Sequence, residues 1–186
     1  MLKIVPYEEK YRNDVRQVCL NTAGEKARTD EKEGCFILAT FCDYYLDVEG
    51  GNCFVAVDEN DVAQGYILCA EKFDGYRKNF RPYIKTAGKS GFTRRVYAWG
   101  EMAVTGFFKK EYPAHLHIDI NPGFQRMGVG TRLMDKLTDH LKKKGIDGVM
   151  LIVNSDNTKG VSFYKKYGFE KIGFLGVGLP MGLKLG

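Results

Sequence analysis

Three side chains that can move protons occupy alternate positions of one short segment. Residues 114–120 alternate as a β-strand does, which puts His115, His117 and Asp119 on one face and apolar side chains on the other. A histidine titrates near neutral pH and suits the removal of a proton, so this face is a candidate general base. The alternative is a pair of strand histidines satisfied by hydrogen bonds, and the pattern fits both. No further ligand pattern accompanies the histidines, so we expect no metal site.

A glycine-bearing loop follows this strand and leads into a helix. The loop covers residues 125–130, and residues 128–144 repeat apolar side chains every four positions, as an amphipathic helix does. The first amides of a helix lack internal partners, and the helix dipole adds positive potential there. Gly128 and Gly130 leave the backbone open to a phosphate, and Arg126 adds charge. The segment therefore predicts a diphosphate site.

Two common nucleotide-binding patterns are absent from this loop. A Walker A loop ends in glycine, lysine and a hydroxyl residue, and the segment has no such ending. A dinucleotide fingerprint needs a third glycine at position 133, which is Leu133 here. The loop therefore belongs to another class of phosphate site.

The loop Gln125-Arg126-Met127-Gly128-Val129-Gly130 resembles the Q/R-x-x-G-x-G/A motif of the GNAT superfamily of N-acetyltransferases. Residues 157–169 resemble that superfamily's second signature, N-x-x-A-x-x-F-Y-x-x-x-G-F, with Gly160 in place of the usual alanine. Residues 54–57, 65–68 and 112–120 resemble a bacterial GNAT subgroup, which is itself similar to the acetyltransferase-like domain of some O-GlcNAc hydrolases.

The resemblance implies a fold and an activity. The fold would be α/β (α+β), with a mixed, mostly antiparallel central sheet of about six or seven strands flanked by helices on both faces. The activity would be transfer of an acetyl group from acetyl-CoA to a primary amine, directly within a ternary complex. The alternative is a non-catalytic acyl-CoA sensor or interaction module. The resemblance does not choose an acceptor, because one fold hosts many.

The resemblance also implies which residues hold acetyl-CoA. The backbone of Ile118, Asp119 and Ile120 would pair with the pantetheine arm as an added strand would, and Asn157 would contact the same arm. The pyrophosphate would be held by the loop and the first helical turn, which comprise Gln125, Arg126, Met127, Gly128, Val129, Gly130 and Thr131.

The catalytic assignments follow from the same resemblance and from the chemistry of acetyl transfer. Tyr164 would lie near the sulfur and protonate the leaving thiolate, which is feasible because phenols and thiols have pKa values of roughly 10 and 8.5. A strand amide near Ile120 would polarise the thioester carbonyl. The candidate bases are His115, His117 and Asp119, and the two histidines resemble the paired histidines of serotonin N-acetyltransferase. Glu101 is a further option for the base.

Residues 71–112 carry the excess positive charge of the chain. They contain ten Lys or Arg and four Asp or Glu, against a net charge of +5 for the whole protein, and ten of its aromatic residues. No period is sustained, so we expect a long irregular insertion within a single domain of residues 1–186. Arg94 and Arg95 could attract an acidic acceptor. Nucleic-acid binding is a rival reading, but no recognised binding module accompanies the segment.

The composition predicts a cytoplasmic protein. A hydrophobic fraction of 44% and a charged fraction of 27% are typical of a soluble globular domain. No apolar run approaches the roughly 20 residues of a membrane span, and the N-terminus becomes charged early. The five scattered cysteines, Cys19, Cys35, Cys42, Cys53 and Cys69, suit buried thiols in a reducing compartment.

Overall fold

The structure, a computed structural model, describes residues 2–173 and 178–186. The strands of the described residues are β1 Lys3–Pro6, β2 Phe54–Val57, β3 Ala63–Ala70, β4 Ala114–Ile120, β5 Gly148–Asn154, β6 Glu170–Lys171 and β7 Gly178–Lys184. Within these residues they form one sheet of seven strands, in the order β1-β2-β3-β4-β5-β7-β6. Neighbouring strands run antiparallel except β4 and β5, which run parallel. The predicted mixed, mostly antiparallel sheet is confirmed.

Helices cover both faces of this sheet. They are α1 Arg12–Ala23, α2 Glu25–Thr29, α3 Glu31–Phe41, α4 Asp43–Val48, α5 Phe73–Asn79, α6 Arg81–Gly88, α7 Phe92–Phe108, α8 Val129–Lys143 and α9 Thr158–Tyr167. On β3, Tyr66 and Leu68 pack into one core with α1 and α3 to α7, while Ile67 and Cys69 pack into the other with α8 and α9. Successive strand residues point to opposite faces, so each strand contributes to both cores.

The sheet is open between its two parallel strands. β4 and β5 pair only at Ala114 with Val149 and at His115 with Met150. Beyond that point β4 stays paired with β3 as far as Ile120, and β5 stays paired with β7 as far as Asn154. The facing edges of β4 and β5 therefore diverge, and no strand of the described residues lies between them.

The prediction that residues 71–112 form a long irregular insertion is wrong. The segment forms α5, α6 and α7. The inward face of α7 carries Ala98, Met102 and Thr105, which repeat at helical spacing but are small or only weakly apolar. Three of its large aromatic side chains point outward instead: Phe92 and Phe107 are each 78% exposed, and Trp99 is 57% exposed. The sequence pattern of this segment therefore shows no helical period in its hydrophobicity, because the most apolar side chains of the helix are not the buried ones.

Two further patterns in the sequence predict elements whose boundaries differ in the structure. The side chains of residues 30–48 predict one helix capped by Asp30, but the structure has two helices, because the backbone of Cys42 (φ −133°, ψ −67°) leaves the helical region. The cap is confirmed, since the Asp30 carboxylate accepts from Lys32 N at 2.9 Å and from Glu33 N at 3.1 Å. Residues 171–174 predict a short strand; β6 covers Glu170–Lys171, and Phe174 lies outside the described residues.

Four of the five cysteines are buried, as predicted, while Cys35 is partly exposed; all five are free thiols. Among the described residues, no helix combines the length and the apolar character needed to cross a lipid bilayer.

Candidate active site

The glycine loop has an unusual backbone at two positions. Gly128 precedes α8 with φ +74° and ψ 3°, the left-handed region that favours glycine. Arg126 adopts φ +62°, which is uncommon for a residue with a side chain. Left-handed conformations at two positions turn the chain sharply between Gln125 and the helix. Such turns direct successive amides toward the same point.

The loop and the first helical turn present hydrogen-bond donors without acceptors. The first backbone bond at this end of α8 runs from Arg132 N to Gly128 O at 3.2 Å. The amides of Arg126, Met127, Gly128, Val129, Gly130 and Thr131 have no acceptor among the described residues. The dipole of this 15-residue helix adds positive potential at the same place. The geometry suits a group with two adjacent phosphates.

The two glycines have different structural roles. A Cβ at Gly128 would meet nothing within 4 Å, so this glycine is required by its backbone conformation. A Cβ at Gly130 would lie 3.2 Å from the Phe163 ring and 3.6 Å from Ile120 Cδ1. Gly130 therefore lets α8 pack closely on α9 and on the end of β4. Close packing is therefore a structural reason for this glycine, and the free approach of a phosphate to it stays a prediction.

The backbone of β4 offers hydrogen-bonding groups to the sheet opening. The amide of Asn121, the residue after β4, donates to Gln64 O on the β3 side at 2.9 Å. Because backbone groups alternate between the two edges of a strand, those of Ile118 and Ile120 point away from β3. Gln125 Nε2 donates to one of them, Ile120 O, at 2.9 Å. The remaining groups of this edge can pair with an extended chain.

Tyr164 lies on α9 beside this opening. Its ring packs on Phe163 and Phe169, with centroids 5.3 and 5.8 Å away. Its hydroxyl makes no hydrogen bond within the described residues. Burial, with a smaller contribution from the charge of Asp119, raises the pKa of Tyr164 above its ordinary value. The hydroxyl therefore keeps its proton at neutral pH and is free to donate it.

Asn157 begins α9 and has part of its side chain engaged. Its Oδ1 accepts from Gly160 N at 2.9 Å, which caps the helix. A Cβ at Gly160 would lie 2.7 Å from Asn157 Nδ2, so glycine at this position leaves room for the cap. This explains why Gly160 stands where the resemblance expects alanine. The Nδ2 donor of Asn157 has no hydrogen-bond partner among the described residues and is free to donate to a ligand.

Asp119 is a partly buried carboxyl group on the histidine face of β4. Tyr66 Oη donates to its Oδ2 at 2.6 Å. Burial raises the pKa of Asp119 from 3.8 to about 6, although the Tyr66 hydrogen bond acts in the opposite direction. A carboxyl group with such a pKa can accept and release a proton near neutral pH.

His115 and His117 share one partner, the hydroxyl of the buried Tyr45. His115 Nε2 lies 2.9 Å from Tyr45 Oη, and His117 Nε2 lies 3.0 Å from it. A hydroxyl that donates to one ring and accepts from the other holds both histidines neutral, in opposite tautomers. Burial lowers the pKa of His115 to about 3, assisted by His117, and burial lowers that of His117 to about 4. Both rings are therefore weak proton acceptors.

A cleft of about 350 Å³ adjoins His117, between α3, α7 and the end of β5. Its walls include the Phe41 and Tyr97 rings, whose centroids are 6.4 Å apart, and Ile152. Glu101 of α7 also lines it, and burial raises the pKa of this carboxyl group. Glu101 was predicted as an option for the base, but its position in the fold could not be inferred from the sequence. The available signal was that it is the one acidic residue between Asp74 and Glu111 in a basic segment.

One of the two arginines predicted to attract an acidic acceptor has other contacts. Arg94 forms an ion pair with Glu33 and lies over the Phe36 ring, 4.6 Å from its centroid. Trp99 is 57% exposed on the outer side of α7, whereas Tyr97 lines the cleft. Among the residues that the structure describes, no three His, Cys, Asp or Glu side chains are grouped to hold a metal ion.

The comparisons with known proteins agree with this geometry. The model of the Acetyltransferase (GNAT) family matches residues 19–169. An uncharacterized N-acetyltransferase of Methanocaldococcus jannaschii is 38% identical over 64 residues, which are 34% of this chain and 28% of that protein. The matches to the first curated relatives span at most 37% of their length.

Solved structures share the fold over the whole chain. The crystal structure of SsHAT superposes with a TM-score of 0.88 at 25% identity, covering 100% of this chain and 98% of that one. The PaiA N-acetyltransferase of Thermoplasma acidophilum, solved in complex with coenzyme A, superposes with a TM-score of 0.65 at 16% identity, covering 99% of each chain. The second likeness concerns the fold alone. With a family match over most of its length, the chain belongs to the acetyltransferase (GNAT) family.

Proposed function

We propose that this protein transfers an acetyl group from acetyl-CoA to a primary amine, by direct attack within a ternary complex. One observation carries the proposal. Six amides without acceptors lie at the start of α8, where Gly130 adjoins both Ile120, at the open end of β4, and Phe163, the neighbour of Tyr164 on α9. A diphosphate, an extended amide-bearing arm and a thioester are the successive parts of acetyl-CoA, in the same order.

In this proposal, different residues bind different parts of acetyl-CoA. The amides of residues 126–131 hold the pyrophosphate, and Arg126 adds a positive charge beside it. The backbone of Ile118 and Ile120 pairs with the pantetheine arm as an added strand would. Asn157 contributes its Nδ2 donor to the same arm. Family membership supports this use of the opening.

The transfer step needs a proton acceptor and a proton donor. The amine nitrogen attacks the carbonyl carbon, and the C–S bond breaks after the C–N bond has formed. A strand amide near Ile120 stabilises the charge that develops on the carbonyl oxygen. Tyr164 supplies a proton to the thiolate, and the proton lost by the amine passes to a base. Among the three candidate bases on β4, the shifted pKa values favour Asp119 over His115 and His117.

The remaining expectations belong to the same proposal. The free thiols of the described residues support a reducing compartment, and we propose the cytoplasm. The closer likeness to the acetyltransferase-like domain of O-GlcNAc hydrolases stays a prediction.

The proposal is tested by two measurements on the unmodified protein. Calorimetric titration with acetyl-CoA is expected to give one site per chain. Release of free thiol from acetyl-CoA is expected to rise when a primary amine is added, and mass spectrometry is expected to find the N-acetylated amine. Binding without thiol release over a broad amine panel would instead indicate the acyl-CoA sensor.

A further inference from the structure

The 350 Å³ cleft is lined by a negatively charged side chain and, among the described residues, by no positively charged one. Glu101 is the one charged side chain lining it among the described residues, and it forms no ion pair with any of them. Tyr97, one turn earlier on α7, acts to lower the pKa of Glu101, but burial outweighs this effect and raises the pKa. A carboxylate in apolar surroundings is costly unless a cation approaches it. The cleft therefore favours a positively charged occupant.

The walls of the cleft favour the same kind of occupant. The Phe41 ring lies edge-on to Tyr97 at 6.4 Å and to His117 at 5.4 Å, measured between ring centroids. Aromatic faces attract cations, and this attraction strengthens when water is excluded. Ile152 adds an aliphatic surface. His117 stays neutral beside Tyr45, so it contributes no positive charge that would attract an anion.

The size of the cleft limits what can enter. Small-molecule sites usually enclose about 300–1,000 Å³, so this cleft lies at the lower end of that range. It adjoins the opening between β4 and β5 through His117 and Asn154. A compact amine that reaches Glu101 from this opening stands beside the place that the thioester occupies in the proposed function.

We propose that the acceptor is a small primary amine that enters as a cation on an apolar body without a carboxylate, and that Glu101 is the residue that selects it. The cation loses one proton to the base before its nitrogen attacks and a second as the amide forms; one of the two balances the proton that Tyr164 gives to the thiolate, and the other is released to solvent. This inference rests on the proposed acetyl transfer and deepens it by naming the substrate class. It replaces the expectation of an acidic acceptor, which depended on Arg94 and Arg95. Arg94 is paired with Glu33, and neither arginine lines the cleft.

Matched amines test the selection. Phenethylamine and phenylalanine differ by one carboxylate, and so do isopentylamine and leucine. With saturating acetyl-CoA, we expect kcat/KM for thiol release to be at least about tenfold higher for the carboxylate-free member of each pair, a difference of about 1.4 kcal/mol. Equal rates, or faster reaction of the amino acids, would overturn the proposal. Reaction with lysine-containing peptides but with neither free amine would also overturn it.

Variants of Glu101 test whether this residue selects the acceptor amine. Glu101→Gln should raise KM for phenethylamine at least tenfold and lower the ratio of kcat/KM for phenethylamine to kcat/KM for phenylalanine. Glu101→Asp should keep that ratio, because it keeps the charge. Glu111→Gln is the control, since Glu111 is exposed and lies 3.7 Å from Lys184 outside the cleft. If Glu101→Gln folds, binds acetyl-CoA normally and keeps the wild-type preference, the assignment is wrong.

The failure of this inference is distinguishable from the failure of the proposed function. Acetyl-CoA affinity, measured without any amine, tests only the donor site. Calorimetric titration of phenethylamine into the protein saturated with coenzyme A tests only the cleft. Normal acetyl-CoA binding with no detectable binding or reaction of either free amine would contradict the inference and leave the donor site intact.

Discussion

Tyr164 combines two properties that a proton donor to a leaving thiolate needs. Its hydroxyl has no competing partner among the described residues, and its raised pKa keeps it protonated. The second sequence motif predicted this position. The free hydroxyl could not be read from the motif, because it depends on what the folded chain leaves unpaired.

Replacing Tyr164 with phenylalanine removes the proposed acid without changing the ring packing. We expect Tyr164→Phe to lower kcat by about a hundredfold, the usual lower range for a general acid, while acetyl-CoA affinity stays nearly unchanged. Steady-state thiol release and calorimetry measure the two quantities. Tyr167→Phe is the control on the same helix, since Tyr167 Oη donates to Asp135 at 2.8 Å. Wild-type turnover in Tyr164→Phe would remove this residue from the chemistry.

The ends of α8 show how one element positions the diphosphate site. Gly128 precedes the helix with φ +74°, and Gly145 follows it with φ +69°. A Cβ would meet nothing within 4 Å at either position. A side chain at either site therefore imposes backbone strain of about 1–2 kcal/mol without a steric clash. A side chain is therefore expected to destabilise the fold by a similar amount at either glycine. The two positions differ in their distance from the proposed phosphate site.

This match gives a prediction for the loop. Gly128→Val and Gly145→Val should lower the free energy of unfolding by similar amounts, of about 1–2 kcal/mol. Only Gly128→Val should weaken coenzyme A binding, by at least about tenfold, because the first amides of α8 lose their direction. Urea unfolding and calorimetry measure the two effects. Equal affinities in the two variants would show that the left-handed turn at Gly128 does not shape the site.

Prediction from the sequence succeeded where hydrophobicity follows burial. Along α8, Val129, Leu133, Leu137 and Leu141 are all buried, and the helix was predicted within one residue at each end. Along α7 the rule fails, because Ala98 is buried while Trp99 is exposed. The cleft was missed for the same reason. Glu101 could not be located until the segment that carries it was recognised as a helix.

The whole molecule contains buried titratable groups with opposite effects on its stability. The folded His117 has a pKa of about 4, below its ordinary 6.5, so only the unfolded chain gains this proton as the pH falls between these values. This group therefore makes the fold less stable on acidification. Asp119 has a folded pKa of about 6, above its ordinary 3.8, so between these values the folded chain keeps a proton that the unfolded chain has lost. This group makes the fold more stable on acidification.

Two variants separate these effects. Between pH 5.5 and 4.5, each group changes the free energy of unfolding by about 1.4 kcal/mol per pH unit, with opposite signs. His117→Gln should therefore make the acid-side loss of stability shallower, and Asp119→Asn should make it steeper. Urea titrations at the two pH values measure the slopes. Unchanged slopes in both variants would mean that neither group is buried in solution as the structure has it.

The central claim is that unpaired amides at the start of α8 hold the pyrophosphate of acetyl-CoA. A crystal structure of the protein with coenzyme A tests it most directly. We predict pyrophosphate oxygens within hydrogen-bonding distance of amides of residues 126–131, with the pantetheine arm along the β4 edge at Ile118 and Ile120. Coenzyme A bound elsewhere, with these amides still without a ligand, would contradict the account.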